Sequence, residues 1–259
     1  MPRKLFPLPR FAAALLLPGL LLASPAAVAQ TTPAPMGLNP YTGPRFSGGP
    51  DSLQAVLRRA VGSAGSALTG QLFVRLELNK NGQPARCYVL TPPDRAGAAL
   101  ARSKEAKAVI QQLPSQLCTW QPGTSSINSQ SDASIILPLY FGPPPAPTPL
   151  AYSDENPAFV SIVAKKNSPP LNVVNLIQRQ FRYPAEDLRN RVQGTAYGYY
   201  EVSETGAVEN RRIISGLSPT VDAELLHALN TLPDALTPPR QQGRPVRVAY
   251  VVPINLRIQ

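Results

Sequence analysis

Few residues in this chain could do chemistry. His227 is the single histidine, and Cys87 and Cys118 are the two cysteines. His227 follows Leu226 in a segment with helical spacing of leucines, and neither a nucleophile elbow nor a base-orienting pattern surrounds it, so we interpret it as a partly exposed helix residue. A metal site needs several ligands that one histidine and two cysteines do not supply. The sequence therefore predicts no catalytic, metal or cofactor site.

The acidic pairs lead to the same conclusion. Asp154-Glu155 and Glu186-Asp187 are neighbours in sequence, which points their side chains to different faces, and we expect them to be solvated or to cap helices. The chain also has no glycine-rich phosphate loop that carries a lysine. We predict that this protein is not an enzyme and uses no cofactor.

The two cysteines are predicted to form a disulfide. In an oxidising compartment, two cysteines of one module usually pair, and closing the loop between Cys87 and Cys118 would contribute about 3–4 kcal/mol on the chain-entropy model. The alternatives are two buried free thiols or a redox-active pair, although the sequence has no Cys-x-x-Cys motif.

Composition favours compact modules joined by proline-rich connectors. Of 259 residues, 31 are proline, 43% are hydrophobic and only 15% are charged. The formal net charge is +10. Because the basic residues are scattered rather than arranged in a stripe, we favour solvated faces that meet anionic envelope surfaces over a nucleic-acid partner.

The N-terminus predicts export. Residues 1–29 have the features of a signal peptide: a basic start with Arg3, Lys4 and Arg10, an apolar run, and a cleavage signal at Ala27-Val-Ala29. The alternative, an uncleaved membrane anchor, is disfavoured because the run is short for a span and is broken by Pro18-Gly19. We expect a periplasmic or otherwise exported protein of a Gram-negative-type cell.

The rest of the chain divides into similar halves. We predict a proline-rich lead at 30–44, a first domain at 45–142, a proline-rich linker at 143–156 and a second domain at 157–259. The linker contains Pro143-Pro-Pro-Ala-Pro-Thr-Pro149 and is expected to form a polyproline-II spacer.

The two halves repeat one another. Gly70–Gly82 matches Gly194–Gly206, with the same glycine spacing, and both blocks alternate with period two. Leu72, Val74, Leu76 and Leu78 share one strand face, as do Ala196, Gly198, Tyr200 and Val202. Each block leads into a hairpin, with second strands predicted at Arg86–Leu90 and Arg211–Ile214.

A helix and a proline-containing strand follow each hairpin. The helices are predicted at 96–113 and from Ser218-Pro219, which reads as an N-cap and first helical residue, to Leu232. Because proline is confined to edge strands or bulges, we expect the last strands to be exposed on one side at Pro138 and Pro253. A further helix precedes each hairpin. The fold class is α+β: two copies of a two-layer module in which a short antiparallel sheet packs against two helices.

These elements resemble the C-terminal domain of TonB. The motif Arg182-Tyr-Pro-Ala-Glu-Asp-Leu-Arg-Asn-Arg-Val-Gln-Gly194, the hairpin ending at Gly206, and Pro239–Leu256 carry the resemblance, which runs from about residue 172 to the end. The first half resembles a diverged copy: it shares the hairpin and a loose Trp120-Gln-Pro122 motif but lacks the Tyr-Pro helix motif.

The resemblance implies a protein that binds extended peptides, such as the TonB box of outer-membrane receptors, by β-strand addition to an exposed edge. On this reading the binding surface is the last strand, 247–255, with Arg247, Ala249, Tyr250, Val251 and Asn255 as candidate residues. The alternative is that this strand is simply half-buried core.

Two tyrosines outside the core face are further candidates. Tyr197 and Tyr199 lie on the outer face of their strand if Ala196, Gly198 and Tyr200 face inward, and exposed tyrosines are favoured at interfaces. The alternative is cross-strand packing. Gly198 at an inward position indicates a close helix approach or a strand bend.

Two functions from different classes follow. The first is a two-module binding protein that recognises segments of envelope proteins, such as TonB-dependent receptors, and is linked to outer-membrane transport. The second is a structural or assembly protein whose domains pair with each other or with a partner chain, including a dimer through edge strands. Because TonB itself is anchored in the inner membrane, a cleaved signal peptide would leave this chain unable to pull on a receptor.

Overall fold

The computed structural model describes residues 40–62, 68–117, 119–123, 133–159 and 173–257. The first half contains eight elements: β1 (Arg45–Phe46), α1 (Gly49–Gly62), β2 (Gly70–Leu78), β3 (Pro84–Val89), α2 (Arg95–Arg102), α3 (Lys104–Gln116), β4 (Trp120–Gln121) and β5 (Ala133–Phe141). The second half contains eight more: α4 (Val173–Gln180), α5 (Ala185–Arg189), β6 (Gly194–Val202), β7 (Val208–Ser215), α6 (Pro219–Asn230), β8 (Arg240–Gln241), β9 (Arg244–Pro245) and β10 (Val248–Leu256).

Each half forms a three-stranded antiparallel sheet of the same topology. The strand orders are β3-β2-β5 and β7-β6-β10, so the first strand of each hairpin is central and the last strand of each half is an edge. Pro138 lies opposite Phe73 and Pro253 lies opposite Tyr197, which are equivalent positions of the two sheets. Both proline-containing strands are edges of their sheets, as predicted, but the expected exposure holds only at Pro253, because Pro138 is buried.

The hairpin turns are also alike in both halves. The Gly82 N–H donates to Asn79 O at 2.9 Å, and the Gly206 N–H donates to Ser203 O at 3.0 Å. Both glycines have positive φ, +73° and +92°. At either one a Cβ would lie within 2.6 Å of a backbone oxygen, which explains why the repeat keeps glycine there.

One face of each sheet packs against helices, as the period-two pattern predicts. In the first half, Leu72, Val74, Leu76 and Leu78 join residues of α1 and α3 in one core. In the second half, Ala196, Tyr200 and Val202 join Leu225 and Leu229 of α6 in another. The Gly198 position confirms a close helix approach, since a Cβ there would lie 2.9 Å from Leu229 Cδ1.

The opposite faces of the two sheets pack against each other. Phe73 and Leu90 from the first sheet and Tyr197, Tyr199 and Ile214 from the second belong to a third buried cluster. We call it the inter-sheet cluster. The layers therefore run helices, sheet, sheet, helices within Leu38–Gln259, a single compact unit.

The linker takes part in this packing. Tyr152 is buried in the first core and its hydroxyl accepts from the Phe46 N–H at 2.9 Å, while Phe159 is buried in the second core. Glu155 forms antiparallel bridges to both Pro40 and Arg240. Residues 150–156, which were assigned to the linker, are thus packed within the folded unit, because the linker carries a buried aromatic side chain.

Two helical predictions need correction. The predicted helix at 96–113 is two helices, because the Ser103 side chain accepts from the Ala106 N–H and caps a new start at Lys104. The second of these continues through Pro114 to Gln116. No helix among the described residues is long and apolar enough to cross a membrane.

Candidate functional site: the edge of the last strand

β10 offers backbone groups to a partner on one side only. Residues 248–256 lie opposite β6, and in an antiparallel pair the backbone groups of alternate residues point toward the partner strand and away from it, so the odd-numbered residues direct their N–H and C=O groups away from β6. A hydrogen bond fixes this orientation: the Ala249 N–H donates outward to Leu150 O at 2.9 Å.

The linker occupies the first part of this edge. The Leu150 N–H donates to Arg247 O at 2.9 Å, which completes a parallel bridge between Leu150 and β10. Beyond Ala249, no described residue pairs with the outer side of β10. We call the outward backbone groups of residues 251, 253 and 255 the open edge.

The open edge is accessible and has more acceptors than donors. Val251 is half-buried, and Pro253 and Asn255 are exposed, whereas the intervening residues of β10 are buried. Pro253 has no N–H, so its outward position costs the ladder to β6 nothing and removes one donor from the open edge. Val251 and Asn255 supply the remaining N–H groups.

The side chains predicted to bind a partner are used in different ways. Arg247 is largely buried and forms ion pairs with Glu201 at 3.0 Å and Glu209 at 2.8 Å, so its charge is satisfied within the chain. Ala249 belongs to the inter-sheet cluster, and Tyr250 stacks on Tyr200 with ring centroids 5.4 Å apart. Of these five candidates, only Val251 and Asn255 lie on the open edge.

Tyr197 and Tyr199 are not exposed. Their relative exposures are 7% and 0%, because the first sheet covers their face. The Phe73 ring meets the Tyr199 ring edge to face at 5.3 Å, and Arg75 Nη1 donates to the Tyr197 hydroxyl at 3.0 Å. The prediction that these tyrosines are exposed was wrong, because it assumed that the second half folds without packing against the first. The interface that they form is internal.

Several polar groups of this interface pair with one another. The Tyr199 hydroxyl donates to Glu201 Oε1 at 2.6 Å, while Arg247 holds the other carboxylate oxygen. Arg212 lies 4.0 Å from the centre of the Tyr199 ring and donates to Gln71 Oε1 at 2.7 Å. Burial raises the pKa of the Tyr199 phenol far above its ordinary value, so this hydroxyl stays a donor at any physiological pH.

The equivalent edge of the first half is closed. Pro138 is buried, unlike Pro253. The space beside it, enclosed by α1 and linker residues Pro144, Thr148 and Pro149, has a volume of only about 40 Å³. That volume holds a few water molecules and no peptide backbone.

The cysteine pair stays a prediction. Cys87 is half-buried on β3, and in its reduced form burial raises the pKa of the thiol to about 11. Cys118 lies outside the described residues.

The remaining candidates for chemistry are dispersed. His227 is exposed on α6, as predicted. Among the described residues no group of three or more histidine, cysteine or acidic side chains could hold a metal ion. In this part of the chain the open edge is the feature best suited to a partner.

The site residue that the sequence reasoning missed is Leu150. The sequence does contain an indication of its role. An apolar run, Leu150-Ala-Tyr152, follows the prolines directly, in a stretch that was assigned to the linker. An apolar run of this kind indicates packing rather than spacing.

An edge strand with unpaired backbone groups is the feature to which an extended partner strand can be added. Comparison with known proteins agrees: residues 179–258 match the family described as the Gram-negative bacterial TonB protein C-terminal. Residues 179–258 are thus similar to the C-terminal domain of TonB, a family of interaction modules of the Gram-negative cell envelope.

One solved structure shows a weak similarity to this chain. The solution structure of the TonB C-terminal domain of Helicobacter pylori has 16% sequence identity, covering 34% of this chain and 79% of that one, with a TM-score of 0.26. A likeness of that size carries no argument. No curated protein matches the chain.

Proposed function

We propose that this chain is an exported binding protein that captures extended segments of envelope proteins on the open edge by β-strand addition. The observation that carries the proposal is the unpaired outward N–H and C=O groups of Val251 and Asn255, on an exposed strand of a TonB C-terminal domain. Main-chain hydrogen bonds to such an edge give affinity, and flanking side chains select the sequence.

The partners that fit are N-terminal segments of TonB-dependent outer-membrane receptors, in a periplasmic location. The family match at 179–258 and the predicted signal peptide at 1–29 support this assignment. The first half has the same strand order and turn geometry and would then be a diverged second copy of the domain. It would pack against the second half without an open edge of its own.

The test is a Val251→Pro substitution in the full chain, titrated with peptides from receptor N-terminal segments and followed by NMR. Proline removes the outward N–H of residue 251 and leaves the ladder to β6 intact, because that ladder uses the even-numbered residues. We expect peptide affinity to fall about ten-fold or more, with helix content unchanged.

Val251→Ala is the matched control, since it removes the same side chain but keeps the N–H. It should retain most of the affinity. Equal affinity of the proline and wild-type proteins would show that the edge does not bind the peptide.

A second function, assembly through the same edge, is favoured by one observation: the unpaired N–H and C=O groups of the open edge can equally pair with the edge of a second copy. Light scattering over a range of concentrations separates the two functions. A mass that rises with concentration, and falls back in Val251→Pro, would favour assembly.

A further inference from the structure

The linker residues closest to the open edge have a definite place in the fold. Gln54 Nε2 of α1 donates to Pro149 O at 2.8 Å, and Leu150 bonds to β10 through both its N–H and its C=O. The Leu150 side chain is buried. We call residues 148–151 the linker strap.

The strap ends abruptly. After Ala151 the chain turns into the first core, where the Tyr152 hydroxyl bonds to the Phe46 backbone. A parallel strand that continued along β10 would next use Ala249 O and the Val251 N–H. Since residue 152 has left the edge, those two groups remain unpaired among the described residues.

The strap also closes the first half. Pro149 and Ala151 line the same narrow space as Pro138 and Tyr140 of β5, against α1. One short segment therefore lies beside the outer side of β5, with only a narrow space between them, and pairs with the beginning of β10, while the rest of β10 stays open among the described residues.

We infer that the linker strap, through Leu150, sets both the length and the number of the binding sites: one partner strand per chain, paired with residues 251–255. This inference rests on the proposed function. A strand over those five residues spans about 16 Å, so the fitting partner is a short extended segment. Because Pro253 provides no donor, the partner's own N–H groups supply most of the hydrogen bonds.

The length limit has a physical reason. Peptide residues that extend past Val251 toward Ala249 meet Leu150, which already holds the Ala249 N–H and Arg247 O. To pair there, a longer partner must first break two hydrogen bonds and expose a buried leucine side chain. Lengthening the peptide in that direction therefore adds no affinity.

The experiment measures affinity against peptide length in the full chain. Five-, seven- and nine-residue peptides from one receptor N-terminal segment, extended toward Ala249, are titrated by calorimetry into wild type, Leu150→Pro, Leu150→Asp and Leu150→Ile. The proline variant removes the donor to Arg247 O, and the aspartate variant detaches the buried side chain by placing a charge there. Leu150→Ile keeps both the donor and an apolar side chain and is the matched control.

We expect wild type and Leu150→Ile to bind the three lengths within about two-fold, at one peptide per chain. In the other two variants the seven-residue peptide should gain about five-fold or more, since the freed groups can form new hydrogen bonds. Exchange of the Ala249 amide hydrogen, slow in wild type and fast in these variants, verifies that the strap has detached.

Two results would overturn the inference while leaving the proposed function in place. One is a wild-type affinity that rises with length as steeply as in the detached variants, and the other is binding of two peptides per chain. Absence of peptide binding in every protein, by contrast, would overturn the proposed function itself.

Discussion

The Cys87 thiol shows how local burial changes what a residue can do. With a pKa of about 11, only about one thiol in a thousand is ionised at pH 8, and the thiolate is the reactive form. Its place on β3 is half-buried, which is the cause of the shift.

We predict that Cys87 in the folded, reduced protein reacts with iodoacetamide at pH 8 about two orders of magnitude more slowly than a solvent-exposed cysteine. Mass spectrometry of labelled peptides over time measures the rate, and the denatured protein is the control. If Cys87 and Cys118 are joined in the exported protein, no label appears without reductant. Rapid labelling of the folded protein would contradict the burial of this thiol.

The alternation of β10, in which odd-numbered residues direct their backbone groups outward, made part of the candidate site predictable from the sequence. Pro253 indicates from sequence alone that its backbone faces outward, and Val251 and Asn255 share its parity, so the open edge was within reach of the sequence. The places of Tyr197 and Tyr199 were not, because they depend on a face of the other half. Burial of Arg247 depends likewise on acids brought together by the sheet.

At the scale of elements, the approach of α6 to β6 is controlled by Gly198. A methyl group there would meet the end of the Leu229 side chain at 2.9 Å. Overpacking of this kind shifts the helix or forces Leu229 from its rotamer.

We therefore predict that Gly198→Ala lowers the free energy of unfolding by about 1–3 kcal/mol. Leu229→Ala alone should cost about 2–5 kcal/mol through the cavity that it leaves. In the double variant the added methyl occupies part of that cavity, so the combined loss should be smaller than the sum of the single losses. Chemical denaturation of the four proteins measures the coupling, and strict additivity would mean that Gly198 and Leu229 do not interact.

The elements themselves were largely predictable because their signals are local. Equal glycine spacing and period-two alternation indicated both hairpins, and Ser218-Pro219 marked the start of α6. The division at Ser103 escaped prediction, since a serine within a run of helix formers caps a new helix only when the next helix packs at a different angle. The packing of the two sheets against each other was not predicted either. The period-two alternation within each strand identifies two faces but does not indicate that a second sheet covers the outer one.

At the scale of the whole molecule, the inter-sheet cluster joins the halves. Phe73 contributes a nearly buried ring that touches Tyr199 and lies beneath Arg212. Loss of this ring leaves a cavity between the sheets rather than within either helical core.

We predict that Phe73→Ala destabilises the protein by about 3–5 kcal/mol and broadens or divides its single unfolding transition in scanning calorimetry. Tyr88→Ala, an aromatic deletion on the edge strand of the same sheet, is the control, since Tyr88 is 40% exposed. It should change stability much less and leave one transition. A single, equally sharp transition in Phe73→Ala would indicate that other contacts join the halves.

The anchoring of Tyr152 and Phe159 in opposite cores has a practical consequence for anyone who isolates a fragment. A protein that begins at 157, where composition suggests a domain boundary, would lose Leu150 and present Tyr197 and Tyr199 to water. Such a fragment would bind non-specifically through this newly exposed aromatic sheet face. Its partners would include any chain with a complementary face, and also separated copies of its own first half. Partners captured by this fragment would bind the surface that the first half normally covers. Partners captured by the intact chain would instead bind the open edge.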